Sequence, residues 1–317
     1  MMEAWGYFAL GLVLLALGGD SIVKGASGLA QRFGASPFVA GLLLIAFGTS
    51  LPELAVNARA VWAGAQELAL GNAVGSNIVN LGLTLGMAVL VAPVVIRMRV
   101  LSSLLVLLGL ASLALIVFGL DGVVSRVEGL VLLLGFVAVL AFLLARASRE
   151  DARVRIDVET FSVTHTVLWM NLLRFAVAAA LLYYGARFVL QGAPMIGAQW
   201  GLSPLLTGLL PVAIGTALPE IAAAVLAARR GQGEVVVGHV IGSSLCNLTL
   251  VLGGIATFRT LALPASFVRF EVPAAIAFAV ALYPMLRGDL RISKVEGGIL
   301  VAAYVAWLVF VLATAAG

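Results

Sequence analysis

The sequence contains one cysteine, Cys246, and two histidines, His165 and His239. A single thiol excludes an internal disulfide and any cysteine-cluster metal site, and no His/Cys grouping suits zinc or copper. Charge is scarce as well. Asp, Glu, Lys and Arg make up 11% of the 317 residues, whereas a soluble domain carries about 25%, so a water-facing surface cannot be built from this chain. No Lys/Arg run interleaved with aromatics is present, which argues against nucleic-acid binding. What fills the chain is apolar: 62% of residues are hydrophobic and the mean hydropathy is +1.15. Apolar runs of about 20 residues recur throughout, the length a spanning helix needs. The expectation is a polytopic membrane protein with no soluble domain. Met1-Met2-Glu3 lacks the basic region of a cleaved signal, so the first run is expected to be a retained helix.

The runs predict ten spans: 5–31, 37–63, 68–92, 100–119, 124–145, 163–190, 203–229, 234–257, 268–286 and 293–315. They are long and continuous, unlike the short alternating segments of a barrel, so the fold class is all-α. The one long polar stretch, 146–162, divides the chain into halves of five helices, 1–145 and 163–317. Ends after odd-numbered spans collect 14 of the 19 Lys and Arg residues. By the positive-inside rule the 146–162 linker is cytoplasmic and both termini lie outside a cell membrane. The net charge of +4 then reflects orientation, with no acidic partner required.

Two stretches are near copies. Residues 36–86 align without a gap on 203–253 after a shift of 167, with 23 of 51 positions identical. Five is an odd number of spans, so the second half enters from the opposite side and the copies are inverted. Inverted repeats that meet at the bilayer midplane are the build of many secondary transporters. Each copy carries one carboxylate well inside a predicted span, Glu53 and Glu220. An ionised carboxylate at mid-membrane costs roughly 2.5–3.5 kcal/mol on insertion scales, so two of them at matching positions imply a compensating partner. Lys24 is better placed to pair with Asp20, four residues earlier on its own helix.

Pro52 and Pro219 immediately precede the glutamates. As intrahelical prolines they would free the carbonyls of Gly48 and Gly215, close to the hydroxyls of Thr49, Ser50 and Thr216. Broken backbone at this depth is tolerated where it lines a cavity or holds an ion. Gly71/Gly75 and Gly238/Gly242 allow close helix approach. Ser76 and Asn80 share a helix face, as do Ser243 and Asn247, and 27 residues separate Glu from Asn in each copy. The pooled donors are carboxylates, amide oxygens, hydroxyls and carbonyls. All are hard oxygens, suited to calcium and, with fewer ligands, to sodium.

Gly48-Thr49-Ser50-Leu51-Pro52-Glu53, followed by Gly71-Asn72 and Gly75-Ser76-Asn77 to Asn80 and duplicated in inverted five-helix halves, resembles the calcium/cation antiporter superfamily. Its prokaryotic sodium/calcium exchanger branch is most similar. The resemblance covers the whole chain and implies Glu53 and Glu220 as central ligands. Thr49, Ser50, Ser76 and Asn80 would join them from the first copy, and Thr216, Ser243 and Asn247 from the second. It further implies that spans one and six slide across the remaining bundle, that Ca2+ and Na+ are transported ligands, and that no cofactor and no enzyme activity are involved. One chain then holds both halves of the site, so a monomer suffices for transport.

The sequence departs from a perfect duplication. Ala217 stands where the first copy has Ser50, Ser244 where it has Asn77, and His239 where it has Asn72. Asn247 is neutral where prokaryotic relatives often carry Asp, leaving two formal negative charges, enough for one Ca2+ or two Na+. Neither copy has the further acidic residue expected of proton-coupled relatives, which ranks sodium above proton coupling; a proton- or potassium-coupled exchanger is the alternative. His239 reads either as a structural hydrogen-bonding residue or as a titratable group near the site. The rivals are a metabolite transporter, which should show aromatic or basic substrate contacts, a channel, which needs no counter-ion, and an intramembrane hydrolase, for which no nucleophile-and-base set is present.

Overall fold

The computed structural model describes residues 2–36, 39–41, 48–96, 100–147, 156, 159, 164–287 and 290–315. The helices are α1 (Met2–Arg32), α2 (Leu51–Trp62), α3 (Gln66–Val91), α4 (Val100–Phe118), α5 (Arg126–Ala147), α6 (Leu168–Gln199), α7 (Pro204–Arg229), α8 (Gly233–Phe258), α9 (Phe267–Met285) and α10 (Lys294–Ala315). Among the described residues nine of these are long and apolar enough to span a membrane. The tenth, α2, is the latter part of span two; residues 37, 38 and 42–47 of that span lie outside the described residues. The fold is therefore the expected ten-helix membrane bundle. Most of the 146–162 linker also lies outside the described residues.

Span six runs farther than its sequence suggests. The expected end at 190 is overrun to Gln199, through Pro194. Apolar sequence continues there, and packing of α6 on α1 compensates for the one hydrogen bond that proline removes.

The inverted repetition is visible in the helix ends. Gly34 and Gly201, 167 residues apart, have φ of 93° and 68° and close α1 and α6; Gly64 and Gly231 have φ of 84° and 72° and close α2 and α7. In each case the next residue's N–H reaches back to a carbonyl five residues earlier, as in Ala65 to Ala60 at 2.8 Å and Gln232 to Ala227 at 3.0 Å. This satisfies helix-end carbonyls with a left-handed residue that only glycine adopts at no cost. α5 and α10 begin with the same capping box. Ser125 accepts from the Glu128 N–H at 3.3 Å and Glu128 accepts from the Ser125 N–H at 2.8 Å; Ser293 and Glu296 repeat this at 3.3 and 2.7 Å.

Four two-residue strands, which the apolar runs did not foreshadow, tie the halves together. β1 (Val94–Val95) pairs antiparallel with β4 (Arg291–Ile292), and β2 (Val123–Val124) with β3 (Leu261–Ala262). Each pair joins a strand from one half to a strand from the other, at opposite ends of the bundle. The halves are thus interlocked and do not form separate cores.

α3 and α8 lie at the centre. In their most apolar stretches 78% and 94% of residues are buried, against 11% in α10. Each contains a π-helical segment, Val79–Thr84 and Asn247–Leu252, in which one extra residue per turn widens the helix. α1 and α6 pack antiparallel along one side through glycines seven residues apart. A Cβ added at Gly11 would lie 2.7 Å from the Val189 nitrogen and 2.8 Å from the Gly185 oxygen. One at Gly6 would meet nothing within 4 Å. Gly11→Leu is accordingly expected to destabilise the protein in detergent by about 1–3 kcal/mol, and Gly6→Leu to leave thermal unfolding unchanged. Equal melting temperatures for the two would show that this seam is not close-packed.

Candidate functional site

The two near-identical stretches converge on one buried polar cluster. Ser50, Glu53, Ser76, Asn80, Ser243 and Asn247 are 0–1% exposed, and Thr216 and Glu220 are 4% exposed. Thr49 belongs to the 3-10 turn Gly48–Ser50, but its side chain lies outside what is described.

The backbone delivers the glutamates differently in the two copies. Pro52 does not kink a helix from within, as its sequence context suggests. It sits in the first turn of α2, directly after the 3-10 turn, where no intrahelical hydrogen bond is lost. Pro219 is inside α7, downstream of a π-helical segment, Gly208–Val212, that contains Pro211. The chain breaks before Glu53 and continues through Glu220.

Ser243 is the hub. Its hydroxyl donates to Oε1 of Glu220 at 3.2 Å, accepts from Nδ2 of Asn80 at 3.3 Å and shares a 2.7 Å hydrogen bond with the Ser50 hydroxyl. Because the single Ser243 proton goes to Glu220, Ser50 must be the donor in the last contact. Glu220 is thereby linked, through a residue of its own copy, to a residue three positions before Glu53. The reverse link exists as well, since Thr216 lies beside the Glu53 carboxyl. It stops short of a hydrogen bond, and the Thr216 hydroxyl donates instead to the Ala213 carbonyl at 3.3 Å. Both carboxyl oxygens of Glu53, the Ser76 hydroxyl and Oδ1 of Asn247 are buried with no hydrogen-bond partner.

Unsatisfied buried acceptors are expensive, and ionised ones more so. Here they are four oxygens from both copies, in a cluster that holds no Lys or Arg among the described residues. The chemistry they offer is coordination of a small hard cation.

Several members escaped the sequence reading. Asn77 donates to the Ser244 carbonyl at 3.1 Å and accepts from Nδ2 of Asn247 at 3.1 Å, joining the starts of the two π-helical segments. Asn72 donates to Oδ1 of Asn57 at 2.8 Å, bracing α2 against α3. In the second copy this pair becomes His239 and Ala224. Nε2 of His239 comes within 3.9 Å of Oε1 of Glu220. His239 is thus a neighbour of the cluster. Cys246 is buried next to Ser50 and within electrostatic reach of both glutamates. For Asn57, Asn72, Asn77 and Cys246 the only signal was amide or thiol character inside an apolar run; His239 was already readable as a titratable group. Lys24 pairs with Asp20 at 2.6 Å, as expected, and His165 has a structural part, its carbonyl accepting from Nδ2 of Asn171 at 2.9 Å.

A cavity of about 250 Å3 lies between α1, α2 and α7 and reaches the cluster; it is lined by Gly19, Asp20, Pro52, Thr216, Pro219 and Glu220 among others. The Asp20 side chain on its wall is 58% exposed.

Comparison with known proteins gives a consistent result. The sequence profile of the sodium/calcium exchanger protein family matches residues 3–145 and 170–313. The putative antiporter CaxA of Alkalimonas amylolytica is 33% identical, with 97% of this chain and 98% of that protein aligned. The sodium/calcium exchanger MaX1 of Methanosarcina acetivorans is 29% identical over 95% and 96% of the two chains. Among solved structures, the sodium-calcium exchanger NCX_Mj, soaked with Na+ and Sr2+, superposes with a TM-score of 0.68 at 29% identity, covering 97% of this chain and 98% of that one.

Proposed function

The chain belongs to the sodium/calcium exchanger family, a family of transporters, and from that premise we propose that it is a secondary active antiporter exchanging Ca2+ for Na+ by alternating access at the cluster around Ser243. The observation that carries the reading is the cross-linking of the copies, with Ser50 bonded to Ser243 and Thr216 beside Glu53. Glu53 and Glu220 serve as the central ligands. Thr49, Ser50, Ser76, Asn80, Thr216, Ser243 and Asn247 complete the oxygen set. The transported ions are the only ligands required.

Coupling follows from electrostatics. Two ionised carboxylates in a low-dielectric cage repel each other, and carrying that charge through an occluded state is costly. One Ca2+ or two Na+ cancels it. Only loaded forms switch between the two openings, which ties the fluxes together. The repeats 1–145 and 163–317 supply the two gates, with α1 and α6 as the sliding pair and the 146–162 linker and both ends placed as the Lys/Arg distribution predicts. Asp20 lies toward the Arg32 end of α1, so the cavity that links it to Glu220 supports an entry path from the cytoplasmic side. Sodium is ranked above protons because neither Gly-Asn stretch carries the further acidic residue expected of proton-coupled relatives.

The test is uptake of radiolabelled calcium into proteoliposomes. Internal sodium should drive it, and proton or potassium gradients without sodium should not. Uptake that follows the proton gradient alone would overturn sodium coupling, and uptake without any counter-ion would make the protein a channel.

A further inference from the structure

A second polar pair lies apart from the ion site, in a lipid-facing groove of about 590 Å3 between α7, α9 and α10. Its wall is apolar, with Leu206 and Leu209 from α7, Phe270 from α9, and Trp307 and Phe310 from α10. Arg269 and Glu271 line the same groove. Glu271 is 8% exposed and its Oε2 has no hydrogen-bond partner. Arg269 is exposed, and no ion pair joins it to Glu271 or to any other described residue. The first copy has Leu104 and Ser102 at the equivalent positions, so this pair is not a by-product of the duplication.

The groove opens where α7 and α9 begin and α10 ends, near Ser203, Ser266 and Thr314. That is headgroup level, the depth at which Trp side chains settle and Arg side chains reach for phosphate. Glu271 lines this groove beside Ser266, whose hydroxyl lies by its carboxyl; with Oε2 still unpartnered, a donor brought into the groove is favourable. We propose that the groove is a binding site for a phospholipid bearing a primary ammonium headgroup. Its ammonium donates to Glu271, its phosphate accepts from Arg269, and an acyl chain lies along Leu206, Leu209, Trp307 and Phe310. A primary ammonium has three N–H donors for the carboxylate, whereas a quaternary ammonium has none. An anionic glycerol headgroup would satisfy Arg269 but offer Glu271 only neutral hydroxyl donors, weaker than a cationic ammonium. The occupant would rest against the π-helical segment of α7, the helix that also carries Glu220.

Native mass spectrometry of the purified protein with matched phosphatidylethanolamine, phosphatidylcholine and phosphatidylglycerol tests this without any transport readout. The ethanolamine lipid should be retained about tenfold over the other two, the worth of one charge-assisted hydrogen bond. Glu271→Gln should erase its advantage over the choline lipid, and Arg269→Gln should lower retention of both. Equal retention by the unaltered protein, a preference for the anionic lipid, or an ethanolamine preference that survives Glu271→Gln would each overturn the proposal. If Glu271→Gln fails to fold, the headgroup comparison on the unaltered protein still decides.

Discussion

Glu53→Gln and Glu220→Gln are each expected to abolish calcium-for-sodium exchange while leaving the protein folded. Glutamine has nearly the same shape as glutamate, so packing is kept. What changes is charge: the cage falls from two negative charges to one, and a bound Ca2+ is left with an uncancelled positive charge. Two unit charges 4 Å apart are worth about 4 kcal/mol in an effective dielectric of 20, so losing one against a divalent ion costs at least about three decades in affinity. The stability readout runs the other way. Both Glu53 oxygens are buried without partners, so in ion-free buffer Glu53→Gln removes a desolvated charge and breaks no bond. Its melting temperature should hold or rise. Glu220→Gln keeps an oxygen that can accept from Ser243 and should be close to neutral. Vesicle flux and thermal unfolding, measured on the same preparations, check both halves. Normal exchange in either variant would remove that glutamate from the site.

The second large effect separates two serines that the duplication makes equivalent. Ser243 bonds Glu220, Asn80 and Ser50, while the Ser76 hydroxyl has no partner. Ser243→Ala strips the hydrogen bonds of three buried groups and is expected to cost roughly 1–3 kcal/mol of stability without any ion present. Ser76→Ala loses nothing in that state and should melt no lower than the parent. Both lose a coordinating oxygen, so both should weaken calcium binding by about tenfold. Calorimetric titration of Ca2+ beside unfolding in chelator gives the comparison. If Ser76→Ala binds calcium as the parent does, Ser76 is structural and leaves the ligand set. If Ser243→Ala unfolds no earlier than Ser76→Ala, the hub reading is wrong.

Legibility of the site followed the duplication closely. Glu53, Glu220, Ser76, Ser243, Asn80 and Asn247 stand out because the same residue recurs at the same offset. Asn77 and Asn57 were harder to see, because their partners in the other copy are Ser244 and Ala224, and a mismatch looks like drift; His239, opposite Asn72, stood out only as a titratable residue without an assigned role. In the folded protein those mismatches are compensated. Asn77 spans to the Ser244 backbone, and the imidazole at 239 turns toward Glu220. The proline reading failed in one copy for a related reason. Whether a proline kinks a helix or opens one depends on the backbone just before it, a 3-10 turn at 48–50 in one copy and α-helix at 215–217 in the other.

The amino-acid order on its own settled the membrane, the number of spans and their opposed halves. In lipid every spanning segment must satisfy its backbone internally, and that requirement is local to each run of residues. Folding in three dimensions decided which oxygens meet. The bond from Ser50 to Ser243 crosses 193 positions, and the strand pairs likewise draw each partner from a different half. Contacts over such separations depend on how helices cross and how closely glycines let them approach, quantities that no single stretch of the chain contains.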